Sequence, residues 1–319
     1  MSTPTPGSRP AKLSDHGEPM PFAKVASALA RGLCADAGAM RALMATLVAV
    51  GPIERLDTAA GTLKTLGDAG TVRGILIAEG NDPAPPARVT GNIVMLCGLT
   101  APYINNAVAA LRLSSLPTLV WWRGGRPETL DGLADLADRI VLDEDAPHEI
   151  WRHAITLFDD SAFSDMRWAR LTQWRALMAH FFEIPEVRIA SRDFTHLHVA
   201  ARDKISASLF AAWLTTSLRF SRELTVEIVE GDMDAPIQQI ELGNGDQRLT
   251  VRLAAVRNCL ETEVEVRGHR SASRIVALRD QGEKGLLTEE LRIRARDLAF
   301  ERAVRALVER RTTSAVAMG

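Results

Sequence analysis

Cysteine is scarce in this sequence of 319 residues: Cys34, Cys97 and Cys259 are odd in number and far apart. No C-x-x-C or Cys/His cluster accompanies them, which argues against a disulfide framework and a cysteine-based zinc site. Free, buried thiols in a reducing cytoplasm are expected. Long apolar runs are missing as well. None approaches the roughly 18 residues a membrane span needs. The N-terminal stretch has no apolar core and so is no signal peptide; its Pro, Ser and Gly content marks a flexible arm over 1–20. The expected localisation is cytoplasmic. Lysine is also rare, five against 33 arginines. Yet a formal charge of −2 and a pI near 6.4 give no global pull toward nucleic acid or anionic lipid.

Catalytic signatures are missing too. There is no G-x-G-x-x-G, no G-x-x-x-x-G-K-[ST], no G-x-S-x-G and no H-E-x-x-H, so no cofactor and no catalytic residue is expected. His196 and His198 stand as H-x-H in a strand-like run, which puts both rings on one face. Without a Cys, Asp or Glu at ligand spacing in that element, they read as a structural pair, not a metal site.

What is present has the composition of an ordinary soluble protein, 46% hydrophobic and 24% charged. The length suits two domains. Residues 116–143 organise the first. Residues 118–122 have the length and residue types of a buried strand, and adjacent residues of a strand face opposite ways. Trp121 and Trp122 therefore call for a sheet covered on both faces. Arg123-Gly124-Gly125-Arg126-Pro127 breaks the strand, a helical period follows through Leu130, Leu133 and Leu136, and 140–142 give the next strand. That is one βαβ unit.

Upstream, a helix begins at Phe22 and fades near Gly38, and 43–50 read as a strand stopped by Gly51-Pro52. Residues 53–66 give an amphipathic helix, 72–78 a strand, 80–86 a proline-rich loop, 89–97 a strand and 102–115 a helix. The alternation predicts an α/β domain over 21–158, a mostly parallel sheet with helices on both faces. Ligands of such sheets settle at the carboxyl ends of strands, where the Arg123-Gly124-Gly125-Arg126 loop lies. A phosphate or carboxylate site and a strand-end cap are both open there.

Residues 148–158 continue as a helix, and Asp159-Asp160-Ser161 supply a boundary. Beyond it Trp168, Leu171, Trp174, Met178 and Phe181 follow a helical period, a stripe of the kind that usually forms core. Residues 187–200 read as one or two strands and 206–220 as a helix. Runs at 224–229, 237–242, 249–253 and 264–266 read as strands, with a hairpin turn at 243–246 and an edge strand at 275–278. Residues 286–311 read as one long helix. Strands without intervening helices predict antiparallel pairing, hence an α+β domain over 159–312.

The order of Leu116-Pro117, an apolar run, Trp121, Trp122, Arg123, Gly124, then Leu136, Ala137, Asp138, Arg139 and Asp143 resembles the OpcA family, the glucose-6-phosphate dehydrogenase assembly proteins. So does the segment bearing Trp168, Arg170, Leu171, Thr172, Trp174, Arg175, Leu177, Ala179, Phe181 and Phe182. The resemblance spans about 40–310; the N-terminal arm and a short connection from Cys97 to Tyr103 depart from it. It implies a non-catalytic partner that assembles or allosterically activates glucose-6-phosphate dehydrogenase in the oxidative pentose phosphate pathway. The residues expected to contact that partner are Trp121, Trp122, Arg123, Arg126, Asp138, Arg139, Asp143, Trp174 and Arg175. The alternative is an enzyme or sensor of a small phosphorylated sugar using the Arg123–Arg126 loop. A second arginine-rich place, Arg292 to Arg305, is interleaved with acids and reads as a solvated face.

Overall fold

The computed structural model describes residues 18–35, 43–69, 72–80, 87–218, 220–233, 235–255, 258–267, 269–279 and 281–317. Most of the expected arm, the loop at 81–86 and the fading of the first helix near Gly38 lie outside them. Among the described residues, one compact unit takes the chain up to 147 with 159–162 and 287–294. The other takes 148–158, 163–286 and the chain from 295 onward. The expected division into 21–158 and 159–312 is thus interleaved.

The first unit is α/β. In chain order it has β1 (Glu18–Met20), α1 (Phe22–Ala35), β2 (Ala45–Gly51), α2 (Ile53–Asp68), β3 (Val72–Glu79), β4 (Ala87–Thr90) and β5 (Ile93–Leu99). It continues through α3 (Ala101–Leu111), β6 (Thr118–Trp122), α4 (Pro127–Ala134) and β7 (Arg139–Leu142). After α5 (His148–Ala154) comes β8 (Ala162–Asp165), the last strand of a sheet ordered β1-β4-β5-β3-β2-β6-β7-β8. β5, β3, β2, β6 and β7 run parallel. The chain moves outward from β2 through β3 to β5, then returns to β6 and β7 on the other side of β2. The strand order therefore reverses between β2 and β6.

Every residue of β2, β6 and β7 is buried, as expected for strands covered on both faces. Trp121 and Trp122 are both fully buried. The run at 89–97, expected as one strand, is a hairpin: β4 and β5 pair antiparallel around Gly91-Asn92, with Gly91 at φ 55. Residues 18–20, expected in the arm, pair as β1 with β4. α3 starts with Pro102 in its first turn and stops at Leu111, because Arg112 is extended.

The second unit holds α5, then α6 (Met166–Arg170), α7 (Thr172–Phe181), α8 (Pro185–Ala190), β9 (His196–Ala201), α9 (Lys204–Ser217) and β10 (Thr225–Glu230). It continues with β11 (Gln239–Asn244), β12 (Gln247–Leu253), β13 (Cys259–Val266) and β14 (His269–Ala277). α10 (Glu283–Glu290) is followed by α11 (Leu298–Ala317). Its sheet runs β10-β9-β11-β12-β13-β14.

Three local expectations change here. The run from 187 opens inside α8 and only β9 is a strand, because Pro185 supplies a ready helix start. β10 pairs with β9 in parallel, α9 serving as the crossover between them. The expected long C-terminal helix is interrupted before Leu298: Asp297 Oδ1 accepts from the backbone N–H groups of Ala299 and Phe300, both at 3.1 Å, and starts α11 afresh. The hairpin at 243–246 forms as expected, Asn244 Oδ1 accepting from Gln247 N at 3.0 Å. A Cβ on Gly243 would collide with the Gln247 carbonyl, so only glycine fits.

Candidate functional site

The carboxyl end of the first unit's sheet gathers the strand-end residues around the reversal between β2 and β6. Arg123 follows β6 directly and donates its backbone N–H to Val50 O at 2.8 Å. Its side chain turns inward, toward α2. Nη1 donates to Thr58 Oγ1 at 3.0 Å, Nε lies 3.6 Å from Asp143 Oδ2, and the guanidinium stacks 4.4 Å from the Trp121 ring centroid. Arg123, one of the residues expected to contact a partner, is buried and takes the strand-end cap role. The reason is the neighbouring ring and carboxylate, which together compensate a desolvated cation.

The two tryptophans each find a carboxylate at the end of β7. Trp121 Nε1 donates to Asp143 Oδ2 at 3.1 Å and Trp122 Nε1 to Glu144 Oε1 at 2.6 Å. Adjacent tryptophans on opposite faces are thus matched by adjacent acids, so neither buried indole N–H is left without a partner.

Beyond Arg123 the chain needs two glycines, Gly124 at φ 117 and Gly125 at φ 146. A Cβ on Gly125 would strike the Glu79 carboxylate and approach Trp122 to 2.9 Å. This close passage brings Arg126 onto Glu79, the last residue of β3. Glu79 Oε2 accepts from Arg126 N at 2.9 Å; Oε1 accepts from Arg126 Nε at 2.8 Å and from Thr129 Oγ1 at 2.6 Å. A cleft of about 310 Å³ remains between Pro52, Glu79, Gly80, Gly125 and Arg126.

The groups that would meet a dinucleotide at this end are engaged within the chain or of the wrong sign. A carboxylate at such a strand end would serve ribose hydroxyls, but Glu79 is committed to Arg126 and Thr129. The β2–α2 turn carries Pro52, which has no N–H, and Glu54 in the first helical turn opposes a phosphate. The same rim presents exposed groups instead: Arg126 with its side chain 46% exposed, Ile53, and Tyr103, 66% exposed at the start of α3. Tyr103 and Ile53 were not singled out from sequence, although Tyr103 is the chain's single tyrosine.

The remaining expected contact residues lie elsewhere. Asp138 Oδ2 accepts from Thr118 N at 2.7 Å, at the amino end of β6. Arg139, buried at the start of β7, donates to Glu290 Oε2 at 2.6 Å. In the second unit Trp174 is buried. Arg175 stacks on Trp168, 3.5 Å from its centroid, while Trp168 Nε1 donates to Asp297 Oδ2 at 2.7 Å. Thus Trp121, Trp122, Arg123, Arg126 and Asp143 come together at one end of the first unit's sheet, Asp138 and Arg139 lie at the amino ends of its strands, and Trp174 and Arg175 belong to the second unit.

No set of three or more His, Cys, Asp or Glu that could hold a metal occurs among the described residues. His196 and His198 sit on β9, with His196 Nδ1 2.7 Å from Thr195 Oγ1. Cys97 and Cys259 are free and only half-buried, and burial pushes the Cys97 thiol pKa up. No helix among the described residues is long and apolar enough to cross a membrane.

A family described as the C-terminal domain of a glucose-6-phosphate dehydrogenase subunit matches residues 161–304. Two curated relatives carry the name OxPP cycle protein OpcA. The one from Nostoc punctiforme is 24% identical over 46% of this chain and 32% of its own length. The one from Synechocystis is 26% identical over 37% of this chain and 27% of its own length. The chain thus matches about a third or less of either relative. Among solved structures, the transcriptional regulator Gal80p from Kluyveromyces lactis is similar at 8% identity and a TM-score of 0.41, covering 82% of this chain and 85% of that one. UDP-N-acetylglucosamine 3-dehydrogenase GnnA from Acidithiobacillus ferrooxidans stands at 9% and 0.41, covering 84% and 97%. Both likenesses are too loose to carry an argument. The C-terminal family match and the two relatives of one name agree with the resemblance carried by the Trp-Trp-Arg-Gly and W-x-R-L-T-x-W-R segments: residues 161–304 are similar to the glucose-6-phosphate dehydrogenase subunit family, and the chain is similar to proteins named OpcA.

Proposed function

We propose that this protein is a non-catalytic partner of glucose-6-phosphate dehydrogenase in the oxidative pentose phosphate pathway, assembling the enzyme or activating it allosterically. The observation that carries the reading is the match of 161–304 to the C-terminal domain of a dehydrogenase subunit. The geometry supports it from the other side. At the strand ends where an α/β enzyme would hold its ligand, Glu79 is engaged by Arg126 and Thr129, Arg123 by Thr58 and Asp143, and Asp143 and Glu144 by the tryptophans. The contact surface we propose is the rim outside them, Arg126 with Ile53 and Tyr103, because interface energy concentrates in aromatic and arginine side chains. Trp121, Trp122 and Arg123 act in this reading by holding the rim in shape.

A sugar-phosphate sensor is the second reading, favoured only by the cleft beside Arg126. The Glu79 carboxylate lining that cleft opposes an anion. The test is co-elution with the cognate dehydrogenase, with kinetics before and after mixing. Co-elution and a changed kcat or KM are expected, and the protein alone should reduce no NADP with glucose 6-phosphate. Failure to co-elute, together with a thermal midpoint raised by glucose 6-phosphate on the isolated chain, would favour the second reading.

A further inference from the structure

The second unit's sheet ends in two different ways. At one end β10 pairs only with β9 among the described strands, and its exposed Thr225, Glu227 and Glu230 make a polar, charged edge. Glu230 is further engaged by Lys204 at 3.1 Å. Charges of this kind are how a free edge is protected from pairing. At the other end stands β14, paired on one side with β13 and on the other with no described strand.

β14 is guarded differently: its edge carries apolar side chains and charge of one sign, and Gln173 of α7 bonds only its far end, donating to Ala277 O at 3.3 Å and accepting from Arg279 N at 2.8 Å. Ser273, Arg274, Ile275, Val276 and Ala277 are all exposed, Ile275 at 60% and Val276 at 37%. Two adjacent large aliphatic residues on an open edge point to opposite faces of the sheet, so a strand laid alongside would cover both. The charges continue a pattern. On β12, Arg248 and Arg252 pair across to Glu265 and Glu261 of β13, at 2.7 and 2.8 Å. Ser273 of β14 donates its hydroxyl to Glu261. After this basic strand and this acidic strand, β14 and its continuation carry Arg274 and Arg279, both exposed and without a carboxylate partner among the described residues. The sequence has no acid between 269 and 279.

We infer that β14 is a docking edge for an extended acidic and apolar segment of the dehydrogenase, added to this sheet as a seventh strand. Backbone pairing would supply the affinity, and side-chain contacts on both faces the specificity. The inference rests on the reading that the dehydrogenase is the partner. A second copy is the poorer occupant, because two β14 strands would bring four exposed arginines together with no acid between them.

The test measures binding of the full chain to immobilised cognate dehydrogenase, for wild type, Ile275→Lys, and Arg274→Glu with Arg279→Glu. Each variant should bind at least tenfold more weakly, and the arginine reversal should also lower the salt dependence of binding. Circular dichroism and the thermal midpoint should be unchanged, since these side chains are exposed. Wild-type binding that both folded variants match within threefold overturns the inference alone. No binding by the wild type overturns the partner reading and the inference with it. Self-association of the free chain that Ile275→Lys abolishes would assign the edge to a second copy and overturn it as well.

Discussion

Arg123 and Arg126 are three positions apart, and their environments make them different kinds of residue. Arg123 is buried, stacked on Trp121, bonded to Thr58 and close to Asp143. Arg123→Ala removes a cation–π contact and a hydrogen bond, and leaves Asp143 half-buried beside a void. Those losses amount to about 2–4 kcal/mol, read as a lower midpoint in urea or on heating. Arg126→Ala removes a half-exposed cation from Glu79, whose side chain is only 8% exposed but keeps the Thr129 hydroxyl and the backbone N–H of residue 126. Its midpoint should move little, and a large loss there would show that the Arg126 side chain holds the loop closed. The sequence announced both arginines as a strand-end pair but not which was buried. That depends on Thr58 and Asp143, 65 and 20 positions away, and pairings at such separations leave no local pattern.

At the scale of elements, apolar runs and their punctuation made the first unit legible. The runs around β2, β3 and β6 stop at Gly51-Pro52, Gly80 and Arg123-Gly124, where the strands end. Direction and partner choice were less legible. Periodicity is blind to whether β10 runs with or against β9, and the α9 crossover decides it. The indole–carboxylate pairs, Trp121 with Asp143, Trp122 with Glu144, Trp151 with Asp165 and Trp168 with Asp297, are tertiary matches between residues 14 to 129 positions apart that no periodicity announces. The break before α11 had a readable signal, since Asp297 caps it, but Leu291 and Leu298 kept the helical spacing and hid the stop. The segment 287–294 is held to β7 by Arg139 and Glu290, each with about 4% of its side chain exposed and 2.6 Å apart. Removing one partner of a fully buried ion pair costs about 3–5 kcal/mol, because the other stays desolvated. Glu290→Ala should therefore lower stability by that order in denaturant titration. A loss under about 1 kcal/mol would mean that water reaches the guanidinium once the carboxylate is gone.

For the whole molecule, the division of labour between a buried frame and an exposed rim can be tested on one surface. Trp121, Trp122 and Arg123 are buried, so they reach a partner only through what they position. Arg126, Ile53 and Tyr103 reach it directly. If the rim is the contact, Arg126→Ala with Tyr103→Ala removes an arginine and an aromatic from the centre of the interface, where a few residues carry most of the binding energy. Activation of the dehydrogenase should then need at least tenfold more protein, about 1.4 kcal/mol, while the thermal midpoint stays near that of wild type. Arg123→Ala should give the opposite signature: a clearly lower midpoint, with activation lost in proportion to the unfolded fraction and recovered on cooling. Full activation by the folded double variant would remove the rim from the interface. An equal loss of midpoint in both variants would show that rim and frame are one cooperative structure, with no surface residue acting independently of the tryptophans beneath it.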